Sequence, residues 1–358
     1  MDYKKRLNNI LSLMDKENAD WFFVTYLPNV LYLSGYSGSH GILLISQENQ
    51  YILTDGRYTE QVKNEVQDYE AVIQGDRKEH AAIQDIIGDV SEKTVWFEAD
   101  HYTFAEYQQI LDEIPIRDFV GKKNMVESLR MVKDKEEITC LKNALRVAEE
   151  AWLRVIPQIR EGMTERELAH LIEHEMWVGG AAKESFESLI LFSPHSSLCH
   201  GKPSNTELNK GDTILMDFGC VVDHYCSDIT RMLAFGQPSR EFQDMYNCVY
   251  KANQAAEEQI KAGINGPDAH IFAKEVIKQA GREKQFMHGL GHGVGMEIHE
   301  DPRLSPLSEH TLKAGNVVTV EPGVYVEGIG GVRLEDMVVI REDGCEVLNQ
   351  TSKDLVIL

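Results

Sequence analysis

The sequence predicts an α+β protein of two domains, an α/β domain at residues 1–124 and a second domain at residues 125–358. The chain has 358 residues, which is more than one hydrophobic core usually organises. Through the first 120 residues, helical and strand-like segments alternate, and that alternation is typical of an α/β domain. In the rest of the chain, acidic residues directly precede or follow short apolar runs, which indicates strands that carry a polar site.

In the first domain, predicted strands and helices follow one another at short intervals. Strands are expected at residues 21–24, 41–46, 51–54, 69–73, 94–98 and 116–119. Helices are expected at residues 2–17, 58–66, 80–87 and 104–113. The segment from Asn124 to Arg130 and the charged residues 133–137 mark the transition to the second domain.

The second domain opens with a long helix predicted at about residues 135–160, which Gly162 ends. Thr164 and Glu167 form a capping-box pattern, so another helix should begin there. Two more helices are expected near residues 239–262 and 268–280. Strands are predicted at residues 213–216, 229–233, 316–320 and 337–340, and a hairpin turn at residues 327–331.

Five residues of the second domain stand in short, unusual contexts. They are Asp217 in LMDFG, Asp228 in YCSDITR, His292 in GLGHGVG, Glu321 in TVEPGVY and Glu335 in VRLEDMV. Each acid lies at one end of a predicted strand, so we expect two hairpins that each present two carboxylates on one sheet. The histidine would arrive from its Gly-rich segment. Unrelated surface acids are the weaker interpretation, because a carboxylate beside a buried strand needs a partner.

Four carboxylates and one imidazole indicate a metal centre. This oxygen-rich set suits divalent ions, of which we expect Mn²⁺ first, with Co²⁺ or Zn²⁺ as alternatives. Four clustered negative charges would repel one another strongly unless cations neutralised them. A single catalytic ion usually keeps about three protein ligands and an open position. Five ligands therefore predict two ions that share bridging carboxylates and a water.

A second pattern in the chain could also bind zinc. Residues 170–174 read H-x-x-E-H, and on a helix His170 and His174 would share one face. The pattern is short, however, and Glu167, Glu173 and Glu175 make this an ordinary charged helix. We therefore expect these two histidines to be exposed or packing residues rather than ligands.

The motifs DFG, CSDITR, HGLGHGVGMEIHEDP, EPGVY and RLEDM together resemble those of the metallopeptidases with the pita-bread fold. Methionine aminopeptidase, aminopeptidase P, prolidase and creatinase share that fold, and the resemblance covers about residues 134–345. Residues 29–39 and 53–58 also resemble the N-terminal domain of creatinase and prolidase, which methionine aminopeptidases lack. The resemblance implies a pita-bread catalytic domain preceded by a creatinase-type α/β domain, in the proline-peptidase branch of the family.

The same resemblance implies roles for residues around the metal ligands. His200 matches the histidine near the scissile carbonyl, where it would donate a hydrogen bond to the developing oxyanion or to the substrate amide. His288 and His299 flank His292, and in relatives they line the substrate site and shuttle protons. Arg333 resembles the arginine that orders the metal ligands or binds substrate.

The implied reaction is hydrolysis of an X–Pro peptide bond. Two ions would lower the pKa of a bridging water, and Glu321 would act as general base toward it, with Asp228 and Glu335 as bridging ligands. The chain length favours an X–Pro dipeptidase (prolidase), and the alternatives are an X–Pro aminopeptidase (aminopeptidase P) or a creatinase-like amidohydrolase. A binding protein without chemistry is disfavoured, because none of the five ligands is replaced.

The segment before His200 departs from the family pattern. Relatives commonly have N-S-A-x-P-H-G, whereas residues 195–201 here read HSSLCHG. Cys199 therefore stands where relatives have a proline, which removes a restraint on the backbone. His195 stands in place of the asparagine and adds a titratable group. This departure leaves the metal ligands unaffected and bears on the substrate preference.

Composition excludes several classes of partner. The net charge of −22 disfavours nucleic acid and anionic membrane surfaces. No apolar run of about 18 residues exists that could span a membrane, and no signal peptide is expected. The six cysteines show no CxxC spacing, which suits a reducing cytoplasm. We thus expect a cytoplasmic enzyme that acts on small peptides with proline in the second position, and the family resemblance implies a homodimer.

Overall fold

The structure is a computed structural model that describes all residues from 1 to 358. The chain forms two compact units, residues 1–130 and residues 131–358. These two units are described separately, and the domain boundary after residue 124 stays a prediction from the sequence. None of the helices combines the length and the apolar character that a membrane span requires.

The first unit is an α/β arrangement built on one six-stranded sheet. Its strands are β1 Trp21–Val24, β2 Ile42–Ile45, β3 Gln50–Thr54, β4 Glu70–Ile73, β5 Thr94–Glu98 and β6 Asp118–Lys122. Its helices are α1 Tyr3–Lys16, α2 Leu27–Ser34, α3 Thr59–Glu65, α4 Glu79–Ile87, α5 Phe104–Glu113 and α6 Glu127–Arg130. The strand order is β4-β3-β2-β1-β5-β6, and β1 pairs antiparallel with β2 but parallel with β5. All four residues of β1 are buried, as expected for a strand with neighbours on both sides.

Two features of the first unit differ from the sequence predictions. Helix α2 was not predicted, because it has only eight residues and lacks the length that makes helical periodicity visible. Its bounds are nevertheless marked by Pro28 in the first turn and by Gly35, which ends the helix at a φ of 79°. Strand β6 lies two residues later than predicted, in the register that pairs Asp118 with Thr94 of β5.

The second unit contains four long helices and fourteen short strands. The helices are α7 Lys135–Val155, α8 Glu165–Val178, α9 Arg240–Glu257 and α10 Gly266–Gln279. The strands are β7 Lys183–Glu184, β8 Leu189–Phe192, β9 Thr213–Phe218, β10 Cys220–Val222, β11 Tyr225–Cys226, β12 Ile229–Ala234, β13 Gly291–Gly293, β14 Glu300–Leu304, β15 Val317–Val320, β16 Gly323–Val326, β17 Gly330–Arg333, β18 Asp336–Ile340, β19 Cys345–Val347 and β20 Val356–Ile357. The predicted capping box of α8 is confirmed, since the Thr164 and Glu167 side chains each accept the other's backbone N–H.

The strands that carry the five predicted ligands lie in two different sheets. One sheet has the order β20-β12-β9-β8, and the other has the order β14-β13-β15-β18-β19. The prediction of a single sheet is therefore wrong, because β9 pairs with β12 and β15 pairs with β18 without a ladder between the two pairs. A single antiparallel bridge between Thr230 and Glu335 joins the two sheets. This junction is where the polar site forms.

A buried charge network fastens the C-terminal segment to the same junction. Arg231 Nη2 donates to Asp336 Oδ1 at 2.7 Å, and Asp336 Oδ2 lies 2.8 Å from Lys353 Nζ. Lys353 Nζ also donates to Glu257 Oε2 at 2.6 Å. These groups have lost most of their hydration, so each charge needs a neighbouring charge of opposite sign to offset that cost. The network holds the side chain of Asp336, the neighbour of Glu335, in a fixed position at the start of β18.

Candidate metal centre

Strand register brings three of the predicted carboxylates to one place. Asp217 lies opposite Thr230 in the β9–β12 ladder, and Asp228 directly precedes β12. Thr230 also forms the bridge to Glu335, and its Oγ1 donates to Glu335 Oε2 at 2.6 Å. The site therefore follows from backbone pairing. One threonine between two sheets places acids that lie more than a hundred residues apart in the chain.

The histidine arrives on the short strand β13, between two glycines. A Cβ on Gly291 would collide with the backbone oxygen of Thr319 in β15, so only glycine permits this close approach. His292 N donates to Thr319 Oγ1 at 3.0 Å, and this hydroxyl donates to Glu321 Oε1 at 3.1 Å. Thr319 thus positions both the imidazole and the carboxylate that follows β15.

The resulting cluster is compact and buried. Asp228, His292 and Glu335 each offer a ligand atom, and these atoms all lie within 4.8 Å of one another. His292 Nε2 lies 3.5 Å from Asp228 Oδ2 and 3.3 Å from Glu321 Oε1. Asp217 reaches the cluster through Arg333, whose Nη2 donates to Asp217 Oδ2. Divalent cations with oxygen and imidazole ligands require donor groups at this kind of spacing.

Without a cation, the negative charges of the cluster are poorly compensated. Burial, followed by repulsion from Glu335, raises the pKa of Asp228 well above its ordinary value. Burial, followed by repulsion from Glu321, does the same to the pKa of Glu335. Burial also raises the pKa of Glu321 to about 7. These shifts have the direction expected when carboxylates share a dry site with too little positive charge.

The histidine is a second indication that these residues are suited to hold a cation. Burial lowers the pKa of His292 to about 3, so the ring is neutral. Its Nδ1 faces the carbonyl oxygen of Gly293 at 3.0 Å and must carry the proton, because a carbonyl only accepts. Nε2 therefore directs a lone pair at the carboxylates of Asp228 and Glu321. A lone pair facing two carboxylates is repulsive unless a proton or a metal ion lies between them, and a metal ion can be held by all three groups at once.

One further atom supports the same conclusion. Asp217 Oδ1 is buried and has no hydrogen-bond partner, although its second oxygen is paired with Arg333. A buried carboxylate oxygen without a partner is costly in a native protein. The unpaired oxygen, the directed lone pair and the excess of carboxylates all fit divalent metal ions held by these residues.

All nine residues that the sequence predicted for the site line a single cavity of about 540 Å³. They are His200, Asp217, Asp228, His288, His292, His299, Glu321, Arg333 and Glu335. Cys199 lines the same cavity. The roles of these residues stay predictions, but the structure does bring them together. His170 and His174, by contrast, are exposed on α8 and do not line the cavity.

Arg333 is held by protein groups at each of its three nitrogens. Nη2 is bonded to Asp217, Nη1 donates to the Tyr325 hydroxyl at 2.7 Å, and Nε donates to Thr230 Oγ1 at 3.2 Å. The Tyr325 oxygen lies 3.1 Å from His288 Nε2, whose Nδ1 faces the carbonyl of Gly289 at 2.8 Å. Both nitrogens of His288 are therefore engaged. Tyr325 was missed from the sequence, although it ends the motif EPGVY.

Arg303 was also missed. Its exposed side chain lines the cavity, and it forms no ion pair with the carboxylates of the cluster. It lies four residues after His299, within the motif HEDPR. Arg303 has no protein counter-ion at the cavity wall. The sequence places the arginine in this motif, but only the structure shows that it faces the cavity.

Comparison with known proteins gives the same family across the whole chain. Residues 139–342 match metallopeptidase family M24, and residues 6–132 match the creatinase/prolidase N-terminal domain. The Xaa-Pro dipeptidase of Pyrococcus furiosus is 34% identical over 358 residues, which is 99% of this chain and 100% of that protein.

Solved structures agree. A structure of Xaa-Pro dipeptidase from Bacillus anthracis has a TM-score of 0.94 and 34% identity, with 100% of both chains covered. A structure of X-Pro aminopeptidase from Thermotoga maritima has a TM-score of 0.91 and 35% identity, covering 95% of this chain and 98% of that one. The predicted pita-bread catalytic domain with a creatinase-type N-terminal domain is thus confirmed, and the chain belongs to metallopeptidase family M24.

Proposed function

We propose that this protein is a metal-dependent Xaa-Pro dipeptidase. The observation that carries the proposal is the cluster of buried carboxylates around a neutral His292, within a cavity that also presents an uncommitted arginine. Relatives named dipeptidase and aminopeptidase are about equally similar to this chain. The choice between the two activities therefore depends on the cavity.

The metal ions would be held by Asp217, Asp228, His292, Glu321 and Glu335. We propose two ions and assign them as Mn²⁺, because four of the five ligands are hard carboxylates. When bound, the ions would activate a water molecule and polarise the substrate carbonyl. Their charge would also relieve the mutual repulsion that raises the pKa values of the buried acids.

The remaining chemistry falls to side chains of the cavity wall. His200 is exposed at the wall and can donate a hydrogen bond to the carbonyl oxygen as negative charge develops on it. Glu321 accepts the proton that the attacking water loses. We assign this proton to Oε2, because Oε1 already accepts a hydrogen bond from Thr319 Oγ1. His299, whose ring stands edge-on to His292 at a centroid distance of 4.4 Å, passes the proton to the leaving nitrogen. His288 supports the wall through Tyr325.

The substrate carboxylate needs a separate partner. Arg333 was the candidate from the sequence, but its three nitrogens are already bonded to Asp217, Tyr325 and Thr230. Arg303 lines the cavity without such partners and can pair with a carboxylate directly after proline. A dipeptide ends with that carboxylate, whereas a longer peptide has an amide there. The guanidinium of Arg303 is the reason to prefer the dipeptidase activity over the aminopeptidase activity.

The proposal extends to the assembly and the location of the protein. We propose a cytoplasmic homodimer with a creatinase-type N-terminal domain at residues 1–124 and a catalytic domain at residues 125–358. All six cysteines are free thiols, which is compatible with a reducing compartment. The net charge of −22 is unfavourable for binding nucleic acid or anionic membranes.

The test compares Ala-Pro with its C-terminal amide, Ala-Pro-NH₂, and with an extended X–Pro tripeptide. The wild-type protein should have the highest kcat/KM for the free dipeptide. Arg303→Met should remove this preference and leave hydrolysis of the amide almost unchanged, because the amide offers no charge to pair. A wild-type preference for the tripeptide would make the protein an aminopeptidase and would contradict the assignment of Arg303.

A further inference from the structure

His200 has no hydrogen-bonding partner in the protein, although it lines the same cavity as the carboxylate cluster. The residue is exposed, so packing restrains its ring less than it would restrain a buried side chain. The position of the ring is therefore set by the backbone of residues 193–204, which we call the His200 loop. Contacts that hold this loop in place therefore also hold the imidazole of His200 in place.

The His200 loop is held by one completely buried carboxylate. Glu165, the first residue of α8, is 0% exposed. It accepts from Phe192 N at 2.8 Å just before the loop, and from Ser204 N at 2.9 Å and Ser204 Oγ at 2.6 Å at its end. Both of its oxygens lie 2.9 Å from His195 Nδ1 near the start of the loop. A single side chain thus bonds both ends of the segment that carries His200.

The opposite face of the loop rests on the hairpin that carries Arg333. Ser196 Oγ accepts from Gly331 N at 3.0 Å, and a Cβ on Gly331 would collide with the backbone oxygen of Ser196. The glycine lets β17 approach the loop closely. The loop is therefore confined between β17 on one side and Glu165 on the other, with little room for alternative backbone positions.

We propose that Glu165 is a positioning residue for His200, and that His195 is the side chain through which it holds the start of the loop. This inference rests on the proposed function, in which His200 stabilises charge in the transition state. An ionised carboxylate can accept all four donors, whereas an amide has one accepting oxygen and adds two N–H donors of its own. Replacing Glu165 by glutamine leaves loop donors unpaired and lets the loop shift. A displacement of about 1 Å at a catalytic group can cost ~10²-fold in rate.

The experiment compares Glu165→Gln with Glu167→Gln, a matched control in the same first turn of α8. Glu167 bonds only to Thr164 in the capping box, so its replacement should leave kcat unchanged. For hydrolysis of Ala-Pro, Glu165→Gln should lower kcat by ~10- to 100-fold with KM within about twofold of the wild type. Equal effects of the two replacements would mean that Glu165 merely stabilises the helix, and would overturn the inference.

The same replacement in a His200→Ala background tests whether Glu165 acts through His200. If it does, Glu165→Gln should have little further effect on kcat once the imidazole is gone. An equal fold-loss in both backgrounds would show that Glu165 acts by another route. Hydrogen exchange gives a readout without turnover, since the amides of Phe192 and Ser204 should lose protection in Glu165→Gln and keep it in Glu167→Gln.

A pair of substitutions at His195 guards against a Glu165 variant that fails to fold. His195→Asn keeps an N–H donor for Glu165 and should retain kcat within about threefold of wild type, whereas His195→Phe removes the donor and should lower kcat by ~10-fold. Identical kcat values for these two variants would contradict the inference. Should wild-type protein hydrolyse no X–Pro peptide, the proposed function would fail, and this inference with it. Normal wild-type hydrolysis with unaffected variants would refute the inference alone.

Discussion

The pKa of Glu321 leads to a prediction that can be checked without turnover. In metal-free protein, burial raises this pKa from 4.5 to about 7, and the side chain is only 18% exposed. The unfolded chain ionises near 4.5 and the folded protein does so later, so folding becomes less favourable as the pH rises between these values. The penalty is absent below 4.5 and reaches its full size above about 7.

Glu321→Gln removes this penalty. The difference between a pKa of 4.5 and one of about 7 corresponds to about 3 kcal/mol. In chelator, the variant should therefore gain up to about 3 kcal/mol of stability relative to wild type between about pH 4 and about pH 8. Loss of one charge also relieves Asp228 and Glu335, which Glu321 repels, and this adds to the gain.

Urea unfolding at the two pH values, with and without Mn²⁺, is the assay. With Mn²⁺ at about 100 times its dissociation constant, wild type should gain about 2.7 kcal/mol by mass action. The variant should gain much less because it has lost a ligand, so Mn²⁺ should remove most of the difference between the two at about pH 8. A stability difference between wild type and variant that is the same at both pH values in chelator would refute the reasoning about uncompensated charge.

Three further predictions concern other parts of the second unit. His292→Ala should lower metal content and turnover strongly, whereas His170→Ala and His174→Ala should leave both close to wild type, as elemental analysis and kinetics would show. Lys353→Met should reduce the free energy of unfolding by about 3–5 kcal/mol, because it leaves two buried carboxylates with less positive charge. Burial lowers the pKa of His270 to about 4, so wild type should lose up to about 3 kcal/mol relative to His270→Phe as the pH falls from 6.5 through 4.

Each of these predictions has its own control. For Lys353, the control is Lys142→Met, which breaks an exposed ion pair with Glu346 and should cost at most about 1 kcal/mol. Equal costs for the two lysines would show that the buried network contributes little. Retention of metal in His292→Ala, or its loss in the His170 or His174 variant, would reverse the ligand assignment. A stability difference at His270 that does not change with pH would mean that its pKa is the same in the folded and unfolded protein, against the reasoning from burial.

The sequence predicted the elements whose signals are local. Strands β1 and β5 and helix α5 have the predicted bounds, because apolar runs and a capping pattern mark them within a few residues. The nine predicted site residues were selected for a similar reason, since each stands in a short, distinctive motif, and the structure brings them to one cavity. Helix α2 was missed because eight residues give too short a periodic pattern.

Contacts between distant parts of the chain could not be predicted in this way. The site is divided between two sheets that the bridge from Thr230 to Glu335 joins, and no local pattern indicates which strands pair. Glu165 looks like an ordinary acid in the first turn of a helix, yet its carboxylate bonds Phe192, 27 residues later, and the His200 loop that follows. Arg303 resembles any surface arginine until the cavity is seen. Such roles depend on tertiary packing rather than on residue type.

The most direct test of the account is a titration of metal-free protein with Mn²⁺ while hydrolysis of Ala-Pro is followed. The account predicts no detectable hydrolysis after complete chelation, and recovery that is complete when two ions per chain are bound. Elemental analysis of the recovered enzyme should give the same two ions per chain. Hydrolysis at the wild-type rate by protein shown to be metal-free would contradict the account at its centre.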